Sequence, residues 1–149
     1  RRSVYIFVRR NSRYPMLQAF DMPDTHESCG RRDTTITAPQ ALSLLNGKVS
    51  LDWAQSFAGR VIRESGRELR AEIDRAYLLA YARRPDPSER DTAMTFLDRQ
   101  QSIVAKRQAE GKKLALPVSA PVDMDEARGA ALVDFCHMLL NSNEFVLNR

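Results

Sequence analysis

Apolar residues recur at helical spacing over most of the chain. Leu51, Ala54, Phe57, Ala58, Val61 and Ile62 repeat at three- and four-residue intervals before Gly66, predicting an amphipathic helix from about Leu51 to Glu64. A second stripe of Leu69, Ile73, Ala76, Tyr77 and Ala80 predicts a helix from about Glu68 to Ala82. It breaks at "RRPDPSE", where Asp86 can cap, Pro87 suits a first helical position and Glu89 completes a capping box. The helix that follows carries Ala93, Phe96, Leu97, Ile103 and Val104 and runs to Gly111. After a proline-containing surface connection, the pair Asp123 and Glu126 opens another, with Ala127, Ala131, Leu132, Phe135, Cys136 and Leu139 on one side. Upstream, "TAPQALSLLNG" reads as a short helix with Thr37 as cap, Pro39 in the first turn and Asn46-Gly47 at its end.

The first 37 residues lack this period. "SVYIFV" (Ser3 to Val8) is β-branched and aromatic between charged flanks, which predicts a short extended segment, and nothing else in the chain offers it a partner strand. From Tyr14 to Thr37, prolines, Asp24, Ser28 and Gly30 punctuate a long loop that Met16, Leu17 and Phe20 can anchor, with "YPMLQAF" on a short helical turn. The expected fold is mainly α: a compact bundle of about five helices with a long ordered N-terminal loop and one short extended segment. The expected organisation is a single domain over 1–149, with residues 1–37 as extended segment and loop and 38–149 as the helical core.

Composition is that of an ordinary globular chain of 149 residues, 43% hydrophobic and 28% charged. No apolar run approaches the ~20 residues that span a bilayer, so no membrane insertion is expected. The net charge of +4 is uneven: in the first 32 residues Arg1, Arg2, Arg9, Arg10, Arg13, Arg31 and Arg32 are answered only by Asp21, Asp24 and Glu27. Such a flank suits phosphate or sulfate groups, but no basic helix, zinc-finger spacing or stacking motif accompanies it, which points away from nucleic acid. The start "RRSVYIFVRR" reads like a cut through a longer protein.

The stretch "FDMPDTHESCGRRD" gathers Asp21, Asp24, His26, Glu27 and Cys29 within nine positions. Zinc needs three or four converging donors, and His26 with Cys29 at i, i+3 plus a carboxylate could supply them. No CxxC or HxxxH adds a rigid pair, and His137 is the only other histidine. The same residue types serve as turn caps and as ion-pair partners of Arg31 and Arg32, which is the favoured reading, with Asp21 and Asp24 holding the loop. Neither a Cys29–histidine pair nor paired carboxylates have fixed geometry, so no catalytic residue is assigned. Cys136, on an apolar face, reads as a small core hydrophobe. Trp53 with Tyr77 and Tyr81 could form a carbohydrate platform, though aromatics on amphipathic helices usually belong to the core.

The aromatic–Asp–x–Pro–Asp turn (Phe20, Asp21, Pro23, Asp24) leads through Arg31, Arg32 and Thr34 to "APQALSLLN" (Pro39, Gln40, Ala41, Leu42, Leu45, Asn46), and "ARRPDPSE" (Arg84, Pro85, Glu89) and "DFCHMLLNSNEFV" (Phe135, Leu139 to Phe145) follow. With these signatures the chain resembles the C-terminal domain of unknown function of large planctomycete proteins that also carry cytochrome c-like domains. The resemblance implies an uncharacterised module of a longer, exported, extracytoplasmic protein whose heme lies elsewhere, and it transfers no catalytic residues. This chain has no CxxCH, so no cofactor is expected in the segment itself. The resulting expectation is a non-catalytic interaction or ligand-docking module. Arg31 and Arg32 would contact an anion such as a polyanionic glycan, and other domains of the parent protein would be partners. The alternative is a metal-dependent hydrolase or redox subdomain built on the Asp/His/Cys loop.

Overall fold

The computed structural model describes residues 5–9, 11–24, 26–31, 35, 37–66 and 68–146. It is mainly helical, with no strand among the described residues. Seven helices are described: α1 (Pro15–Ala19), α2 (Ala38–Asn46), α3 (Lys48–Ser65), α4 (Leu69–Tyr81), α5 (Pro87–Ala109), α6 (Glu126–Leu140) and α7 (Asn143–Val146). The chain separates into two compact units, Arg1–Asn46 and Gly47–Arg149. The division therefore falls after α2, at Asn46-Gly47, nine residues beyond the start of the helical core expected from the sequence.

In the first unit α1 packs against α2. Pro15 opens α1 because its missing N–H is one the first turn leaves unpaired anyway. Within the expected extended segment, Tyr5 to Val8 pair with no strand among the described residues, and an isolated antiparallel bridge joins Arg9 to Ser12. Ser3 and Val4 lie outside the described residues. A hydrophobic run without a neighbouring edge has nowhere to place its ladder hydrogen bonds, so propensity alone makes no sheet.

The second unit is built around α6. Ala127, Gly129 to Val133, Phe135, Cys136 and Leu139 are all buried, nearly the whole circumference of the helix, as expected of a central element. Helices α3 and α5 flank α6, and α4 packs on both. Ala54, Ala58, Val61 and Ile62 of α3, Ile73 and Tyr77 of α4, and Ala93 and Leu97 of α5 close the core. The predicted capping box is present: the Asp86 carboxylate accepts from Glu89 N–H at 2.7 Å, and Glu89 Oε2 accepts from Asp86 N–H at 2.8 Å. At α6 the cap is Asp125 and not Asp123: Asp125 Oδ1 accepts from Ala127 N–H at 3.0 Å. The capping oxygen has to reach the second or third residue of the helix, and the backbone turns helical only after Asp125.

The connection before α6 is more than a surface link. Pro117 is buried, Val118 N–H donates to Gln55 O at 3.0 Å, and Gln55 Nε2 donates to Leu116 O at 2.8 Å. Gly59 makes this approach possible, because a Cβ there would lie 2.0 Å from Val118 O.

Candidate functional site

The loop of the first unit is organised by one carboxylate. Helix α1 ends where Phe20 N–H and Met22 N–H both donate to Leu17 O, and between them Asp21 takes a left-handed backbone at φ 55°. Asp tolerates that conformation better than most side chains. The turn aims the Asp21 carboxylate at the far end of the loop. Its Oδ2 accepts Thr35 N–H at 2.8 Å and the Thr35 hydroxyl at 2.8 Å, and Gln40 Nε2 donates to the same oxygen at 3.3 Å. Gln40 Nε2 also reaches Thr35 Oγ1 at 3.1 Å, while its Oε1 accepts Thr37 N–H at 3.1 Å. The start of α2 is thus closed by Gln40 reaching back, the glutamine half of a capping box. Gln40 is buried, and its amide oxygen and nitrogen both have partners.

A second contact braces the near end. Asp24 pairs with Arg13 at 2.9 Å and accepts His26 N–H at 2.9 Å. The His26 amide, more than the arginine, holds the Asp24 carboxyl below the ordinary carboxylate range. The cation partner of Asp24 is therefore Arg13, where the sequence offered Arg31 and Arg32. Arg31 is exposed, and its guanidinium makes no ion pair among the described residues; its carbonyl accepts the Cys29 thiol at 3.1 Å. Arg32 lies outside the described residues. A groove of ≈ 190 Å³ opens between Ile6, Phe7 and Val8 on one side and Tyr14, Leu17 and Met22 on the other.

His26 and Cys29 are both exposed, and no group of three or more His, Cys, Asp or Glu side chains among the described residues is placed to hold a metal ion. Cys29 is a free thiol. The loop donors are spent on local bonds: Asp24 on Arg13 and the His26 amide, Asp21 on Thr35 and Gln40, Cys29 on a carbonyl.

The second unit holds the other reactive side chains apart. Cys136 is fully buried, and burial, with the Glu72 charge adding to it, pushes its thiol far above the usual range. Such a thiol packs and does not attack. His137 Nε2 meets Ser50 Oγ at 3.1 Å, a contact between side chains far apart in sequence, and Ser50 is only 4% exposed. Tyr77 and Tyr81 meet edge to face at 5.2 Å between ring centroids, with Trp53 outside that group. They are occupied as a stack for Arg83, whose guanidinium lies 5.6 Å from each ring and binds Glu89 and Glu144. The carbohydrate platform is accordingly replaced by an internal clasp joining α4, α5 and α7.

Sequence reasoning missed Arg13, Thr35 and Gln40. Gln40 could have been found, since a glutamine three residues after Thr37 at a helix start is a capping signal. Nothing in local spacing singles out Thr35 as the partner of Asp21, fourteen residues away.

No helix among the described residues is long and apolar enough to cross a membrane. Neither curated proteins nor solved structures give a match to the chain. Residues 1–97, which contain the whole Asp21–Thr35–Gln40 brace and the Asp86–Glu89 box, match the family described as PSD1, Protein of unknown function (DUF1553), and the chain belongs to that family.

Proposed function

We propose that the chain is a non-catalytic docking module of a longer, exported, cytochrome-associated protein of the planctomycete type, and that the loop between α1 and α2 presents Arg31 and Arg32 to an anionic partner. The observation that carries this reading is the Asp21 brace. One carboxylate fixes both Thr35 and Gln40 across the loop while Arg31 stays exposed and without an ion pair among the described residues. A loop held from within, with Arg31 turned to solvent, is preorganised for carboxylate, phosphate or sulfate groups. The ligand class that suits it is a sulfated or otherwise polyanionic glycan, or an acidic face of another domain of the parent protein. Heme, on this reading, resides elsewhere in that protein. The long-range likeness in "FDMPD" and "APQALSLLN" supports the planctomycete and extracytoplasmic setting.

Titration with dextran sulfate at low and high salt tests the anion site. The unaltered chain binds and weakens as salt rises, because exposed charges are screened within a Debye length of about 10 Å at 0.1 M. The Arg31→Ala, Arg32→Ala double variant, with unchanged helical circular dichroism, loses most of that affinity. Equal binding by the parent and the double variant overturns the assignment.

A further inference from the structure

We propose that Asn46 is a site of spontaneous covalent modification: its side-chain amide cyclises onto the Gly47 nitrogen and hydrolyses to aspartate and isoaspartate at the joint between the two units. This goes beyond the docking reading and does not depend on it. In the first step the Gly47 nitrogen attacks Asn46 Cγ. A carbon–nitrogen bond forms, the Cγ–Nδ2 bond breaks, and ammonia leaves with the proton that the backbone nitrogen gave up. Water then adds to one of the two carbonyls of the five-membered ring and breaks one of its two C–N bonds, giving aspartate or isoaspartate. Water is the sole co-reactant, and nothing is oxidised or reduced.

The geometry favours this bond over the other described asparagines. Asn46 is exposed and ends α2, and Gly47 sits between α2 and α3 at φ −70°, ψ 132°, with no side chain to hinder approach. The Gly47 N–H makes no backbone hydrogen bond of ordinary geometry among the described residues. Among the described residues the Asn46 amide is held by one 3.2 Å bond to Leu42 O at the surface, which is cheap to release. By contrast, Asn11 is followed by Ser12, whose N–H donates to Arg9 O. Asn141 is followed by Ser142, whose N–H donates to Leu139 O, and its own amide donates to His137 O at 2.8 Å. Asn143 is followed by Glu144, whose side chain is engaged with Arg83.

Conversion changes the joint in two ways. A new carboxylate appears in the last turn of α2, which has no basic residue to answer it and where the helix dipole disfavours negative charge. The isoaspartate form also adds a methylene to the main chain where one unit passes into the other.

The full chain is held in mildly alkaline buffer at physiological temperature, and the peptide ending at Lys48 is followed by mass spectrometry with chromatographic separation of the two acid products. Conversion at Asn46 should outrun that at Asn11, Asn141 and Asn143. Gly47→Ala should slow it about tenfold, a barrier increase of ~1.4 kcal/mol. The same chain in denaturant supplies a reference that needs no variant, and native conversion should fall within about tenfold of it. Faster conversion at another of these asparagines, an unchanged rate in Gly47→Ala, or native conversion more than about a hundredfold below the denatured rate overturns the proposal.

Discussion

Glu72 is the side chain whose environment departs furthest from its type. It is 1% exposed on the inner face of α4, its Oε2 accepts from Arg128 Nη2 at 2.9 Å, and its Oε1 is buried with no hydrogen-bond partner among the described residues. Desolvation raises the carboxyl pKa, and Arg128 opposes that rise without cancelling it. The folded state therefore holds this proton more tightly than the unfolded chain does. The stability it contributes is fully present below the unfolded pKa and is lost as pH rises through the raised, folded value. Denaturant unfolding across that window should show wild-type stability falling, and Glu72→Gln, neutral and of the same shape, should remove that fall. An identical slope in the variant would assign the pH dependence to other groups. The position could have been suspected from the sequence, because Glu72 lies three residues after Leu69 and four before Ala76, inside the apolar stripe. Its partner could not, since Arg128 is fifty-six residues away.

At the scale of elements, α3 and the 114–118 segment are locked through a backbone contact that only a missing side chain permits. In an exposed helix interior Ala is favoured over Gly by about 1 kcal/mol. At Gly59 the added methyl would collide with Val118 O, in a segment that Gln55 holds by accepting Val118 N–H and donating to Leu116 O. Gly59→Ala should therefore lose about 1–3 kcal/mol net, as overpacking does, measured by urea unfolding with an unchanged m-value. A gain in stability would show that the segment moves aside freely. Helices α3 to α5 were legible because each buries a stripe that its own sequence repeats, the capping box at Asp86 was legible because it is local, and α6, expected to bury one side, is buried nearly all round. The docking of Leu116 to Val118 was not, because its partners are α3 backbone and side-chain groups some sixty residues earlier. The cap of α6 was misplaced by two residues for a related reason: Asp123 and Asp125 are chemically alike, and only the onset of helical backbone tells them apart.

The whole molecule divides at Asn46-Gly47 into two units with different sources of order. The second has a buried apolar core around α6. The first has no buried large hydrophobic residue among its described positions: Gln40 is its buried residue, and Asp21 is its hub. Polar bonds there replace packing. Asp21→Ala removes the acceptor for Thr35 N–H, for the Thr35 hydroxyl and for Gln40, so hydrogen exchange should accelerate across 14–46 while protection in 48–140 stays as it was. Equal loss of protection in both regions would mean that the units unfold together. The sequence pointed to the loop as the informative region and to Asp21 and Asp24 as its supports. It pointed to Arg31 and Arg32 as the ion-pair partners where Asp24 takes Arg13, because nearness in sequence is a poor guide to pairing where the chain has no period.

The clasp at Arg83 also governs how the chain is cut. The turn between α4 and α5 is a short, partly exposed stretch with consecutive arginines, the kind of place where trypsin usually enters a folded protein. Here the Arg83 guanidinium is already taken by Glu89, Glu144 and two tyrosine rings, so a protease pocket must first pull it from all four. The next bond, Arg84–Pro85, is one that trypsin does not hydrolyse. Limited digestion should therefore leave α4 joined to α5 long after the arginines of the first unit have been cleaved.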